Sequence, residues 1–284
     1  MTSSLTAGIS DAEYHGDKGS LSSSGARRIL KCPALFRWEQ DNPPPPRPEF
    51  DFGHLAHRLV LGEGSAVTLL DPQIHGLKRD GTVADNPKAT TAWKQAESEA
   101  RARGEVPVHV DDYDAAVAMA RAVRNHPVAA ALFENGQPEL SGAWTDPDTG
   151  VKCRYRPDWL TTTTSSGRTI CVDYKTSVSA DPRDFARSCA TYGYHQQQAW
   201  YETGLTADGH TDPGFVFVVQ QKTPPYPVSV VELHADAVML GARLNRRAID
   251  LYAKCVADDM WPAYGDQIHL IDLPGYVYSQ ENIA

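Results

Sequence analysis

Between residues 136 and 177 the chain carries a run of strand signals that leaves few architectures open. "GQPELSGAWT" and "VKCRYRPDWLT" alternate apolar and polar residues on either side of "DPDTG", and "RTICVDYKTS" follows a polar stretch. An Asp-Pro-Asp-Thr-Gly turn between alternating segments is a hairpin signal. Upstream the pattern is helical: "LSSSGARRILKCPALFRWEQ" with Pro33 interrupting, "FDFGHLAHRLVLG", "PKATTAWKQAESEARARGE", then the short strand "VPVHV", "DDYDAAVAMARAVRNHP" and "VAAALFEN". Downstream come helices in "DPRDFARSCATYG" and "YHQQQAWYETGLT", strands in "GFVFVVQQK" and "YPVSVVELH", and a long helix from residue 235. Helices, a mostly antiparallel run of strands, then helices and further strands predict an α/β fold with one central mixed β-sheet flanked by helices.

At 284 residues the chain suits one large domain with appendages. Residues 1–20, rich in Ser and Gly, are expected to be a flexible N-terminal segment. Residues 21–284 are expected to form a single domain: a helical part at 21–135, a sheet core at 136–235, and a helix and tail at 236–284. "NPPPPRPE" at 42–49 reads as a stiff polyproline connector. No apolar run approaches the roughly 20 residues that cross a bilayer, and the N-terminus lacks a signal-peptide pattern. Five cysteines, widely spaced and without a CxxC, argue for reduced thiols in a cytosol and against a zinc knuckle or an iron–sulfur cluster. A net charge of −9 counts against a protein that coats nucleic acid nonspecifically. It does not count against an enzyme with a locally positive channel, because carboxylates that bind metal also make a site acidic.

The acids of the strand run are placed for chemistry. Alternation puts Asp173 and Lys175 on one face of their strand and Tyr174 on the other, and the adjoining hairpin strand can bring Asp158 beside them. Pro157 suits a strand edge or bulge, an irregularity that re-aims a neighbouring side chain. Two carboxylates converging with a lysine suit Mg²⁺, a hard cation held by one or two carboxylates plus substrate phosphate. Alone, an Asp-x-Lys tripeptide arises by chance in most chains of this size.

"RPDWL" followed by "VDYKTS" resembles the PD-(D/E)XK nuclease superfamily, and the chain is most similar to the RecE-type (exonuclease VIII-like) exonucleases of phages and prophages. "FGHLAHRLVL" with Gly53 and His57, "YGYHQQQAWYETG" with Gln197 and Tyr201, "LSSSGARRILKCPALF" and "WPAYGDQIHLIDLP" resemble further segments of that family, in the same order, across roughly residues 8 to 278. The resemblance implies degradation of one strand of linear double-stranded DNA from its 5′ end, leaving a 3′ single-stranded tail for recombination by strand annealing. It implies that His57, Asp158, Asp173 and the Tyr174 carbonyl bind one or two Mg²⁺ or Mn²⁺ ions, with Lys175 catalytic. Glu139 would support a second metal or the attacking water, and Gln197 and Tyr201, four apart on a helix, would orient Lys175 or the scissile phosphate. It further implies a ring-shaped homo-oligomer, a RecT-like single-strand annealing partner, and a phage or prophage protein at work in the cytoplasm of a bacterial host, with no membrane role.

For the DNA itself, Arg27 and Arg28 with Ser23 and Ser24 near a helix N-terminus are candidates for a 5′-phosphate. Arg154 and Arg156, alternating on the strand read as carrying Asp158, are candidates for backbone contacts. Each residue also has a plainer reading: His57 as a core or surface histidine, Glu139 as a solvated acid, Gln197 as an exposed helix residue, Tyr201 as a core aromatic, the arginines as a basic face. Two other functions compete with the exonuclease. One is a different PD-(D/E)XK nuclease, such as an endonuclease; an iron–sulfur relative would need more than Cys255 near the C-terminus. The other is a silent DNA-end-binding scaffold, which should have lost an acid or the lysine; Asp158, Asp173 and Lys175 are all present.

Overall fold

The structure is a computed structural model and describes residues 5–43, 48–163, 166–275 and 277. Its elements, in chain order, begin with α1 (Asp11–Gly16), β1 (Leu21–Ser22), α2 (Ser23–Lys31), α3 (Pro33–Asp41) and α4 (Pro48–Leu61). Next come β2 (Val67–Leu70), α5 (Pro72–His75), α6 (Thr91–Ala102), β3 (Val106–His109), α7 (Val110–Asn125) and α8 (Pro127–Glu134). The strand run holds β4 (Gly136–Pro138), β5 (Gly142–Thr145), β6 (Lys152–Tyr155), β7 (Trp159–Thr162) and β8 (Thr169–Ser177). The chain closes with α9 (Pro182–Tyr192), α10 (Tyr194–Ala207), β9 (Gly214–Gln221), β10 (Val228–Val231) and α11 (Ala235–Asp258). Of the expected polyproline connector, residues 44–47 lie outside the described residues.

The larger sheet has the strand order β10-β9-β8-β7-β4, with β8 and β9 parallel and the other pairs antiparallel. It is therefore mixed, as its residue pattern predicts. Strand alternation divides it cleanly between two cores. Cys171, Phe215, Phe217 and Val219 face a core shared with Ile29 of α2, Phe185 of α9, Trp200 of α10 and Tyr252 of α11. Ile170, Val172, Tyr174, Val216 and Val218 face a second core with Ala56 of α4, Met119 and Val123 of α7 and Ala129 of α8. β9 reads as a continuous apolar run because helices cover both of its faces.

The sheet differs from the expected one in a way that matters for the site. "GQPELSGAWT" is two strands, β4 and β5, broken at Glu139, which sits at φ 47°. "VKCRYRPDWLT" is likewise two, β6 and β7, broken across Arg156, Pro157 and Asp158. β4 and β7 pair in the larger sheet, while β5 and β6 pair with each other and with β1 in a separate three-stranded sheet. Proline has no N–H for the ladder, and a residue at positive φ cannot continue an extended strand. The chain passes from one sheet to the other at both breaks. The correction extends to Arg154 and Arg156: Arg154 belongs to β6 and Arg156 follows it, so neither shares a strand with Asp158.

Residues 5–20, set apart above as part of a flexible N-terminal segment, include α1, β1's approach and a bridge from Thr6 to Ser141. Their anchor is Arg156, nearly buried, which donates to Ser141 Oγ (3.1 Å), Asp11 Oδ1 (2.6 Å) and the Ile9 carbonyl (3.1 Å). The Tyr14 ring lies against the same guanidinium, 4.1 Å away. "VPVHV" is β3, as its residues predict, whereas α1 and the partner strand β2 escape a sequence reading because each is short and packs against the rest of the chain rather than showing a period of its own.

Candidate active site

The site forms where the two breaks and β8 meet. β8 carries Asp173 and Lys175 on its α10 side, and antiparallel pairing of Trp159 with Val172 sets Asp158 at the entry of β7 next to them. Asp158 Oδ2 accepts the Tyr174 amide at 2.8 Å, so the hairpin locks this carboxylate to the β8 backbone. Asp173 is fully buried; Lys175 Nζ lies 2.5 Å from its Oδ2, and Gln197 Nε2 donates to its Oδ1 at 2.6 Å. Gln197 is thus no exposed helix residue: α10 points it inward at the acid. Tyr201, one turn on, lines the neighbouring cleft and packs against Tyr155 and Phe215.

His57 reaches the site from α4 on the other side of the sheet. Its Nδ1 is 3.7 Å from Asp158 Oδ2, and its ring meets the Tyr174 ring edge-on at 5.0 Å. Gly53, a turn earlier, faces Thr176 at ordinary contact distance. An open cleft of about 500 Å³ adjoins these groups, bounded by His57, Asp158, Glu139 and Tyr201 and, across it, by Tyr14 and His15 of α1. Glu139 donates its backbone N–H to the Asp158 carbonyl at 3.1 Å, and its positive φ turns the side chain to the cleft mouth. His57, Asp158, Asp173, the Tyr174 backbone, Lys175 and Gln197 therefore gather at one place, with Glu139 and Tyr201 at its rim.

The electrostatics follow from burying charge. Burial pushes the Asp173 carboxyl up to about 6 while Lys175 pulls it down, and burial raises Asp158 as well. The Lys175 ammonium is held above its usual value: burial works against it, and the charges of Asp173 and Asp158 win. Burial and the Lys175 charge lower His57 to about 4, leaving a neutral imidazole. Two carboxyls that resist ionisation, beside a neutral imidazole, are the donors a hard divalent cation would satisfy. Among the described residues no three such side chains already stand together as a ligand set; the acids are instead contacted by Lys175, Gln197 and the Tyr174 amide. In donor chemistry the residues suit Mg²⁺ or Mn²⁺, with the single histidine favouring Mn²⁺ more than a purely oxygen set would.

The phosphate candidates separate. Arg27 turns toward the site: its Nη1 donates to Ser23 Oγ (3.0 Å) and the Gly193 carbonyl (3.4 Å), and its guanidinium feels the charge of Asp173. Arg28 is exposed and pairs with Glu39 at 3.3 Å, and Ser24 lies on that exposed side. Arg154 is spent on the carbonyls of Asp17 and Ser20, and Arg156 on the N-terminal segment. Tyr194 was not among the sequence candidates, yet Lys175 Nζ sits 5.1 Å over its ring. A tyrosine three residues before Gln197 on α10 carries no motif of its own, and only the fold sets it under the lysine.

Residues 22–274 match the family described as "PDDEXK-like domain of unknown function (DUF3799)". No curated protein matches in sequence. Among solved structures the chain is similar to one described as "Putative exonuclease" from Eubacterium rectale, at 12% identity over 97% of this chain and 98% of that chain, with a TM-score of 0.59. A second, SSO0001, aligns over 72% of this chain and 85% of that chain at 15% identity, with a TM-score of 0.29 that bears no weight. At such identities the first likeness speaks for the fold alone. A match across most of the chain, on a mixed sheet whose central hairpin presents Asp158, Asp173 and Lys175 together, places this protein in the PDDEXK-like family DUF3799.

Proposed function

We propose that this protein is a metal-dependent exodeoxyribonuclease of the RecE type, which degrades one strand of linear double-stranded DNA from the 5′ end and leaves a 3′ tail for strand annealing. The observation that carries the proposal is the convergence of Asp158, Asp173, Lys175 and Gln197 beside an open cleft. His57, Asp158, Asp173 and the Tyr174 carbonyl would hold Mg²⁺ or Mn²⁺, with Glu139 available to a second ion. Bound there, the cation lowers the pKa of water and offsets charge on the leaving oxygen. Lys175 donates to a phosphoryl oxygen and stabilises the charge that develops on it. Gln197 fixes the rotamer of Asp173, and Tyr201 offers its hydroxyl at the cleft wall. Arg27 with Ser23 is the best placed of the cationic groups for a terminal phosphate; Arg28 and Ser24 lie farther out, and Arg154 and Arg156 act by holding α1 as a wall of the cleft.

A ring-shaped homo-oligomer and an annealing partner in the cytoplasm of a bacterial host belong to the same proposal. In support, the C-terminal segment is anchored by Trp261 on Phe36 and then leaves Ile268, Leu270 and Ile271 exposed, a surface suited to another protein. The test is digestion of linear duplex DNA labelled at the 5′ or 3′ end, with Mg²⁺ and with EDTA, and a closed circle as control. Early loss of the 5′ label, Mg²⁺-dependent and with the circle spared, is the expected result. It should vanish in Asp173→Ala and Lys175→Ala with the far-UV circular dichroism unchanged. Cutting of the circle would overturn the exonuclease assignment, and activity in either variant would overturn the site.

A further inference from the structure

Beside Lys175 lies a piece of surface that the chemistry of hydrolysis does not use. α9 ends at Tyr192, which is 60% exposed, and α10 begins two residues later at Tyr194. The residue between them, Gly193, is in the left-handed region at φ 70°, which reverses the chain and brings the two rings together, with centroids 5.7 Å apart and planes at 34°. Tyr194 is backed by Phe185 (5.7 Å, 27°) and Phe217 (5.8 Å), so it cannot yield. Its other neighbour is the Lys175 ammonium. On the far side of Gly193 the Arg27 stem lies where a Cβ would be, 2.5 Å from that position, with the guanidinium on the Gly193 carbonyl.

A single exposed tyrosine is ordinary on any surface. This one is the outer end of a rigidly backed aromatic row whose next ring, Tyr194, has the proposed catalytic lysine 5.1 Å from its centre, and a guanidinium is fixed on the same turn. A flat π-face and a cation flanking a phosphodiester site match the two parts of a nucleotide, its base and its phosphate. A duplex end must lose its terminal pairing before one strand can be drawn into a buried site, and an unstacked base needs a surface to receive it.

We propose that Tyr192 is the base-stacking residue of this protein: it receives the unpaired nucleobase at the strand end next to the phosphate held at Lys175, and so keeps the duplex end open. The proposal rests on the nuclease reading of the site and adds its substrate form, a frayed end rather than a fully paired one. Because every base has a π-face, the preference is for unpaired structure and not for sequence.

The test has two arms on the full-length protein. In the first, a duplex with 5-iodouracil at the terminal nucleotide is irradiated with the protein in EDTA, and the cross-linked residue is mapped by mass spectrometry. The cross-link is expected at Tyr192, lost in Tyr192→Ala and kept in Tyr192→Phe. In the second, with Mg²⁺, degradation rates are compared on fully paired blunt ends and on ends with mismatched terminal pairs. Tyr192→Ala should slow the blunt end on the order of tenfold and the mismatched end far less, and Tyr192→Phe should restore the blunt-end rate. Normal cutting by Tyr192→Ala on both ends, or a cross-link elsewhere, overturns the stacking role while the nuclease reading stands. A cross-link at Tyr192 without any cutting by the wild type leaves the stacking role and overturns the nuclease reading.

Discussion

Replacing Asp173 by asparagine should abolish cleavage and yet make the metal-free protein more stable at pH 8. Burial holds the carboxyl at about 6 in the folded chain against 3.8 for an unperturbed aspartate, even with Lys175 beside it. A carboxyl that binds its proton more tightly when folded opposes folding once it ionises. Below about pH 4 it is protonated in both states and contributes nothing; the penalty grows as pH rises and is complete above about 6. A difference of about two units corresponds to roughly 3 kcal/mol. The amide keeps the acceptor for Gln197 but leaves Lys175 Nζ without its anion, a loss tempered because the lysine side chain is 20% exposed. The net gain should be about 1–2 kcal/mol, or about 2–4 °C in Tm for a chain of this size. Thermal unfolding of Asp173→Asn and wild type in EDTA, from pH 8 down to pH 4.5, measures it, and the gap should narrow as the pH falls. Added Mg²⁺ should raise the wild-type Tm and leave the variant unmoved. A variant less stable than wild type at pH 8, or a gap that ignores pH, would refute the account of Asp173 as a buried, poorly compensated anion.

Three further substitutions test the frame around the site. Gly241→Ala puts a Cβ 2.1 Å from the His195 carbonyl oxygen where α11 crosses α10; overpacking on backbone should cost about 3 kcal/mol against about 1 gained in helix propensity, read as a lower urea midpoint. For Asp146, burial pushes the carboxyl up, but hydrogen bonds from Arg246 (2.7 and 3.1 Å) and Thr149 outweigh it and hold it low. Its ionised form therefore favours folding above the usual carboxylate range, so Asp146→Asn should cost about 1–2 kcal/mol at pH 7 and progressively less as acid removes the wild-type charge. Arg156→Ala removes the anchor of α1 and should cost about 2 kcal/mol, with limited proteolysis cutting first within residues 5–17.

Much of the site was legible in the sequence because strand periodicity fixes sidedness. Asp173 and Lys175 had to share a face, a hairpin had to return Asp158 to them, and four-residue spacing on a helix had to align Gln197 with Tyr201. The layered α/β plan followed from the order of helical and alternating segments. The two sheets did not, because alternation reads the same whether a strand continues or leaves its ladder; only the pairing of β4 with β7 and of β5 with β6 shows where it leaves. For the same reason Arg154 and Arg156 read as free cations until α1 was found lying on them.

What the sequence determined by itself is the chemistry on offer: two acids, a lysine and their sidedness, set by local backbone geometry. Tertiary structure alone decided their company, setting His57 across the sheet, Tyr194 beneath Lys175, and Tyr192 and Arg27 on either side of one left-handed glycine. Most of these contacts join residues far apart in the chain, and they arise from the packing of whole elements, which no local period encodes.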